Sequence, residues 1–159
     1  MNEPNFSFRH PKGTIYAIIT PRGLSKLHLP MSVESPKNEF VGATADVAAK
    51  LSMALKNYFA GHFESFANIP LDVSGTPFQQ QVWAAARALA WGQTCSYGDI
   101  AQNIGYSVRC ARAVGQALGA NPIPIIIPCH RILAHNGKLG GFSCGLDWKC
   151  ELLKIERKM

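Results

Sequence analysis

Ser96-Tyr97-Gly98-Asp99-Ile100-Ala101-Gln102-Asn103-Ile104-Gly105-Tyr106-Ser107-Val108-Arg109-Cys110-Ala111-Arg112 is the stretch that decides how this chain folds. Ser96 with Asp99 three residues later has the form of a capping box, so a helix is predicted from there to Ile104. Gly105 ends it, and Ser107 offers a cap for a further helix from Val108 to about Leu118. Two short helices joined through a glycine turn are the sequence mark of a helix-turn-helix. The second would carry Arg109 and Arg112, as a recognition helix does. An ordinary helical corner is the other reading these residues leave open.

Upstream, Thr76-Pro77-Phe78-Gln79 is another capping box, with proline at the first helical position. It predicts a helix to about Ala90 with Phe78, Val82, Trp83, Ala86 and Leu89 on its apolar face. Before it the texture differs. Asn5–His10, Gly13–Thr20 and Gly23–Leu29 read as three short strands of an antiparallel meander, and residues 30–43 as a loop. A helix follows from about Asp46 to Phe59, with Val47, Leu51, Ala54, Leu55, Tyr58 and Phe59 at helical spacing. Pro70–Gly75 reads as a last strand or linker. The expected fold is therefore α+β, with an N-terminal α/β domain over residues 1–75 and a mostly helical domain over residues 76–159.

Downstream, Asn121-Pro122-Ile123-Pro124-Ile125-Ile126-Ile127-Pro128 cannot be helical, because its prolines break the backbone ladder. It reads as an extended, buried segment that delivers Cys129 to a fixed place. Glycines at 137, 140, 141 and 145 mark a turning loop, and a last helix begins near Asp147 with Trp148, Leu152, Leu153 and Ile155 inside.

The 159 residues are 47% hydrophobic and 16% charged, which excludes a disordered chain. No apolar stretch is long enough to span a bilayer, and the first residues lack the pattern of a secretory signal, so a cytoplasmic protein is expected. The formal charge is +6. Residues 1–76 carry seven bases against six acids, and residues 77–159 nine bases against four acids. Between Asp99 and Asp147 there is no acid, while Arg109, Arg112, Arg131 and Lys138 lie inside that span. Such a field suits a polyanion.

The cysteines are Cys95, Cys110, Cys129, Cys144 and Cys150, with no pair at zinc-knuckle or thioredoxin spacing. Cys129 stands out by its neighbours His130 and Arg131. A thiol needs to become a thiolate to act as a nucleophile, and positive charge or a proton-accepting histidine promotes that. Adjacent side chains diverge in extended backbone, so the proton is expected to reach His130 through a bridging water. Glu151 and Glu156 on the last helix are the carboxylates in reach to orient the imidazole.

Pro128-Cys129-His130-Arg131, within the proline-rich segment, resembles the active-site signature of the O6-alkylguanine-DNA alkyltransferase family, the methylated-DNA–protein-cysteine methyltransferases. The likeness continues through Phe78-Gln79-Gln80-Gln81-Val82-Trp83, Ser96-Tyr97-Gly98-Asp99-Ile100-Ala101, Arg112-Ala113-Val114-Gly115 and Gly145-Leu146, over about residues 71–157. It implies a ribonuclease H-like N-terminal domain and a winged-helix-like DNA-binding domain. It implies an S-methyltransferase that repairs DNA by direct reversal. Such a protein flips O6-alkylguanine, and as a second substrate O4-alkylthymine, out of the duplex and keeps the alkyl group.

In that resemblance Cys129 is the acceptor, His130 its water-mediated base, Glu156 the carboxylate partner, and Asn121 holds the site's backbone or the thiolate. Arg112 fills the gap left by the flipped nucleotide, and Tyr97 turns the target phosphate and touches the base. Arg109, Ser107, Ala111 and Gly115 lie along the DNA, with Ala113, Ala117 and Gly119 allowing close approach to the minor groove. Ile132, Phe142, Ser143 and Cys144 form the substrate pocket with Tyr97, the main chain at Cys129 and Ile132 reading the exocyclic amine. Double-stranded DNA is the partner, the protein acts as a monomer with cooperative binding left open, and no cofactor or metal is expected. A cysteine hydrolase, a non-transferring damage sensor and a plain transcription regulator fit these residues less well.

Three positions depart from the family pattern. The turn before Arg112 is about one residue longer. Phe142 stands where tyrosine is frequent, and Cys144 stands where glycine is usual. The Cys144 side chain is expected to restrict bulky adducts and to bring a second thiol near Cys129.

Overall fold

The computed structural model describes residues 3–30 and 43–157, which divide into two compact units between Val73 and Ser74. The loop expected at 30–43 lies, apart from its two ends, outside the described residues.

The first unit is a three-stranded antiparallel sheet with a helix on it. Strands β1 (Phe6–His10), β2 (Gly13–Thr20) and β3 (Gly23–His28) follow in chain order, with a bulge between Ile18 and Ile19. Ile15 to Ile19 are all buried, as suits the central strand. Helix α1 (Ala43–Phe59) begins earlier than the periodicity indicated and buries Val47, Leu51, Ala54, Leu55 and Tyr58. The predicted strand at Pro70–Gly75 shrinks to one parallel bridge, Leu24 with Leu71, held by Leu24 N–H to Pro70 O and Asp72 N–H to Leu24 O. Pro70 has no N–H to extend that ladder.

The second unit is helical. Both capping boxes form. Thr76 caps α2 (Pro77–Arg87) with Gln79 returning to its backbone, and Ser96 caps α3 (Tyr97–Asn103) with Asp99 doing the same. Helix α2 ends at Arg87, short of Ala90. Ser107 does accept from Arg109 N–H, but what it caps is a 3₁₀ turn, Val108–Cys110, before α4 (Ala111–Gly119). Trp83 Nε1 donates to Ala117 O at 2.9 Å, which locks α2 across α4. Ala117 is thus a core residue, not available for the close approach to DNA expected of it, while Ala113 and Gly119 are exposed.

Residues 121–128 are buried, as expected, apart from half-buried Pro122, but they turn rather than extend. Ile127 N–H returns to Ile123 O, and Ile125 sits at φ 76°, a backbone region β-branched residues avoid. Cys129–Arg131 then form a second 3₁₀ turn, so the extended backbone expected at Cys129 and His130 is replaced by a tight one. A two-residue parallel ladder joins β4 (Cys95–Ser96) to β5 (Ile132–Leu133), and α5 (Leu146–Arg157) closes the unit. Among the described residues no helix is long and apolar enough to cross a membrane.

Candidate active site

Cys129 is 5% exposed and forms part of the wall of a cavity of about 290 Å³. Tyr97 from the start of α3, Gly115, Leu118 and Gly119 from α4, and Gly141, Phe142 and Ser143 from the loop before α5 complete it. Ile132 and Cys144, expected in the pocket, are set back from that lining. The Tyr97 hydroxyl donates to Gly141 O at 3.4 Å. Gly140 has φ +67°, and a Cβ there would meet the Tyr97 hydroxyl at 2.9 Å, so loop and ring close on each other only with glycine.

Asn121, just past α4, staples the thiol in place. Its Oδ1 accepts from Ile123 N–H at 2.9 Å, while its Nδ2 donates to Ile127 O at 2.8 Å and to Cys129 Sγ at 3.2 Å. One side chain therefore fixes both ends of the turning segment and points a donor at the sulfur. Burial pushes the Cys129 thiol up to about 11, against the pull of the Asn121 amide and the Lys149 ammonium.

Behind the sulfur lies a buried ion-pair network. His130 is fully buried, with Nε2 2.6 Å from Glu156 Oε1. Arg131 Nε donates to Glu156 Oε2 at 2.9 Å and Nη2 to Oε1 at 3.1 Å, while Nη1 reaches Leu89 O at 2.7 Å. Of the two carboxylates within sequence reach, Glu156 is the one on the imidazole. Burial alone would raise its carboxyl, but His130 and Arg131 outweigh that and hold it at about 2. Burial lowers His130, opposed by Glu156. The ground state is thus a neutral thiol and imidazole beside a carboxylate paired with arginine.

Two residues hold places in this site that the sequence does not reveal. Arg131, next but one to Cys129 and expected to add to a positive field, is 7% exposed and spends its charge on Glu156. Lys149 is fully buried, and its Nζ donates to the carbonyls of Ile132 (2.8 Å), Gly141 (3.1 Å) and Leu139. It thereby gathers β5 and the cavity loop onto α5, with Nζ 6.0 Å from the Tyr97 ring. The Ile132 carbonyl expected to read the base is already an acceptor for it. The missed signal was position: Lys149 shares the helical face of Leu152, Leu153 and Glu156.

Ser107, Arg109, Ala111 and Arg112 lie along the 3₁₀ turn and the start of α4, the two arginines exposed. Arg112, Ala111, Gly115 and Gln116 line a shallow groove with Tyr97 and Gly141 that shares Tyr97, Gly115 and Gly141 with the cavity.

Residues 77–158 match the DNA-binding domain of 6-O-methylguanine DNA methyltransferase. The chain belongs to that family. The methylated-DNA–protein-cysteine methyltransferase of Haemophilus influenzae is 47% identical over 111 residues, 70% of this chain and 62% of the relative. That of Methanosarcina acetivorans is 50% identical over 105 residues, 66% of each chain. The matched stretch thus spans less than two thirds of both relatives. Among solved structures, Mycobacterium tuberculosis OGT in complex with DNA has 34% identity and a TM-score of 0.81, covering 96% of this chain and 91% of that one. The O6-methylguanine DNA methyltransferase of Methanococcus jannaschii has 33% identity and a TM-score of 0.69, with 96% and 93% covered. These structural likenesses run through both units of the chain.

Proposed function

We propose that this protein repairs alkylated duplex DNA by moving the alkyl group of O6-alkylguanine onto Cys129, once per molecule. The observation that carries the reading is the placement of Cys129 Sγ in the wall of a narrow cavity, under the Asn121 amide and next to the His130–Glu156–Arg131 network. A flipped base brings its reactive carbon to such a thiol, whereas a base within the stack does not.

The chemistry follows from the ground state. His130, with its Nε2 proton on Glu156, offers Nδ1 as the base. A bridging water carries the thiol proton there, and the Glu156 carboxylate stabilises the resulting imidazolium. The Asn121 Nδ2 donor and the Lys149 charge favour the thiolate as it forms. Sulfur displaces the O6 oxygen at the alkyl carbon: the S–C bond forms, the C–O bond breaks, and its electron pair stays on guanine, which takes up a proton. The product is a thioether, which water does not cleave, so no cofactor, second base or turnover is required.

On the DNA side, Arg112 occupies the place of the flipped nucleotide, Tyr97 turns its phosphate, and Arg109, Ser107, Ala111 and Gly115 follow the backbone. Double-stranded DNA is the partner, met by a monomer in the cytoplasm. The relatives' names and the DNA complex of the tuberculosis protein support this reading. Duplex carrying radiolabelled O6-methylguanine tests it. Label should pass to the protein up to one methyl per chain and stop, and Cys129→Ser should take up none. Continued transfer beyond one per chain, or uptake by the serine variant, contradicts it.

A further inference from the structure

Gln116 has no role in the chemistry described above, yet it stands beside the mouth of the site. On α4, Val114, Ala117 and Leu118 are buried, while Arg112, Ala113, Gln116 and Gly119 form the exposed face. Ala113 and Gly119 are too small to project from that face, so Arg112 and Gln116 are its two long side chains. They lie one helical turn apart, and both line the shallow groove that shares Tyr97, Gly115 and Gly141 with the Cys129 cavity. Other glutamines of this unit close the backbone: Gln79 accepts from Thr76 N–H, Gln80 donates to Gly75 O and Gln93 accepts from Ala90 N–H. The Gln116 amide has no such partner among the described residues. A long, exposed side chain with both a donor and an acceptor to spare therefore sits one turn from Arg112, on a face otherwise bare.

We infer that Gln116 reads the minor-groove edge of a base pair within two steps of the target guanine, and that it favours G·C there. This rests on the reading of Arg112 and Tyr97 as the residues at the flipped nucleotide. Four residues of helix advance ~6 Å, against ~3.4 Å per base-pair step, which sets the distance between the two contacts. A face bare of other side chains can approach base edges in a groove only about 6 Å wide. In that groove an A·T pair shows acceptors alone, whereas G·C adds the N2 amine of guanine. A carboxamide matches G·C: its Oε1 accepts from the N2 amine while its Nε2 donates to the neighbouring N3. Against A·T the Nε2 still donates, but Oε1 faces an acceptor and stays unpaired, which costs free energy once water is excluded. Gln116 thereby makes the rate of repair depend on the sequence around the lesion.

The test uses the full chain and duplexes that each carry one O6-methylguanine, with G·C, A·T or inosine·cytosine placed in turn at the two base pairs on either side. Inosine lacks the N2 amine of guanine, and 7-deazaguanine, as a further replacement, lacks the N7 acceptor of the major groove. Methyl transfer is timed on each duplex, and binding is measured on the same duplexes without the lesion. Gln116→Ala and Gln116→Met, the second keeping the length of the side chain, are compared with the wild type after circular dichroism shows each folded. At one of these positions the wild type should react about two- to tenfold faster beside G·C than beside inosine·cytosine, the size of one net hydrogen bond. It should be indifferent to 7-deazaguanine. Both variants should lose the difference. Flanking pairs also change the cost of extruding the target, but that cost is common to all three proteins, so comparing them isolates the side chain. No preference in the wild type, a preference that survives in either variant, or one that follows N7 instead of N2 overturns the inference. If no duplex donates a methyl group yet binding keeps a Gln116-dependent preference for G·C, the proposed function fails and this contact stands. Methyl transfer without that dependence keeps the function and removes the contact.

Discussion

The two units solve different problems with their interiors. Among the described residues, the core of the first unit is apolar throughout, built from residues such as Ile15, Leu24, Leu51, Leu55 and Tyr58. Among those same described residues, the second unit holds all five that are buried and polar or charged: Asn121, His130, Arg131, Lys149 and Glu156. Burying such groups costs free energy unless each is hydrogen-bonded or paired, and a well-packed apolar core of the same volume is often as stable or more so. The contrast therefore marks where stability has been traded for chemistry. In the first unit a side chain is inside to be away from water. In the second, each polar group is inside to hold a specific atom: the sulfur, an imidazole nitrogen, or a loop carbonyl.

The sharpest way to break this comparison is to remove the shared acceptor. Glu156→Gln leaves Arg131 and His130 without their carboxylate, and should cost about 3–5 kcal/mol in urea unfolding, as for other broken buried pairs. That matches the roughly 2–5 kcal/mol expected of Leu51→Ala in the apolar core. If Glu156→Gln is neutral, the network is not holding the second unit together.

Acid makes the same point without a mutation. The folded Glu156 carboxyl is depressed, so its contribution is present above its unfolded value and is lost as pH falls from about 4.5 toward about 2. The loss should be on the order of 3 kcal/mol. His130 is also depressed, so acid begins to destabilise the fold already below its unfolded value of 6.5. In Glu156→Gln the carboxyl window should vanish while the His130 window widens, because Glu156 is what opposes the lowering of His130 by burial.

Lys149→Met keeps the stem and removes the ammonium from three carbonyls. It should lower stability by roughly 1–3 kcal/mol, the cost of leaving buried acceptors without a donor. It should also slow methyl uptake, because the loop bearing Gly141 and the cavity wall loses its anchor. At the small end, Ser96→Ala removes a helix cap and should cost about 1 kcal/mol. Asp46→Asn, which breaks the exposed pair with Lys50, should change thermal stability by less than about 0.5 kcal/mol.

What could be read in the sequence follows the same division. Local signals were legible because they act over a few residues. Thr76 with Gln79 and Ser96 with Asp99 both form the capping boxes their spacing predicts, and the periodicity of α1 and α5 picks most of the apolar side chains that are buried, Phe59 alone of those expected staying half-exposed. Long-range pairing was not. Arg131 reads as surface charge until Glu156, on α5, arrives to meet it. Lys149 looks like one more basic residue of the last helix until three loop carbonyls converge on it. The turning of residues 121–128 was hidden for a related reason. Prolines announce that a segment is not helical, but the Asn121 bonds to Ile123, Ile127 and Cys129 decide the shape it takes instead.

The central claim is that Cys129 is the atom that receives the alkyl group. The most direct measurement is to incubate the protein with duplex containing O6-methylguanine and weigh its tryptic peptides. Peptide 113–131 should gain one methyl, in proportion to guanine restored, while the peptides holding Cys95, Cys110, Cys144 and Cys150 stay unmodified. A methyl found on another cysteine, or restored guanine with peptide 113–131 unchanged, would contradict the account.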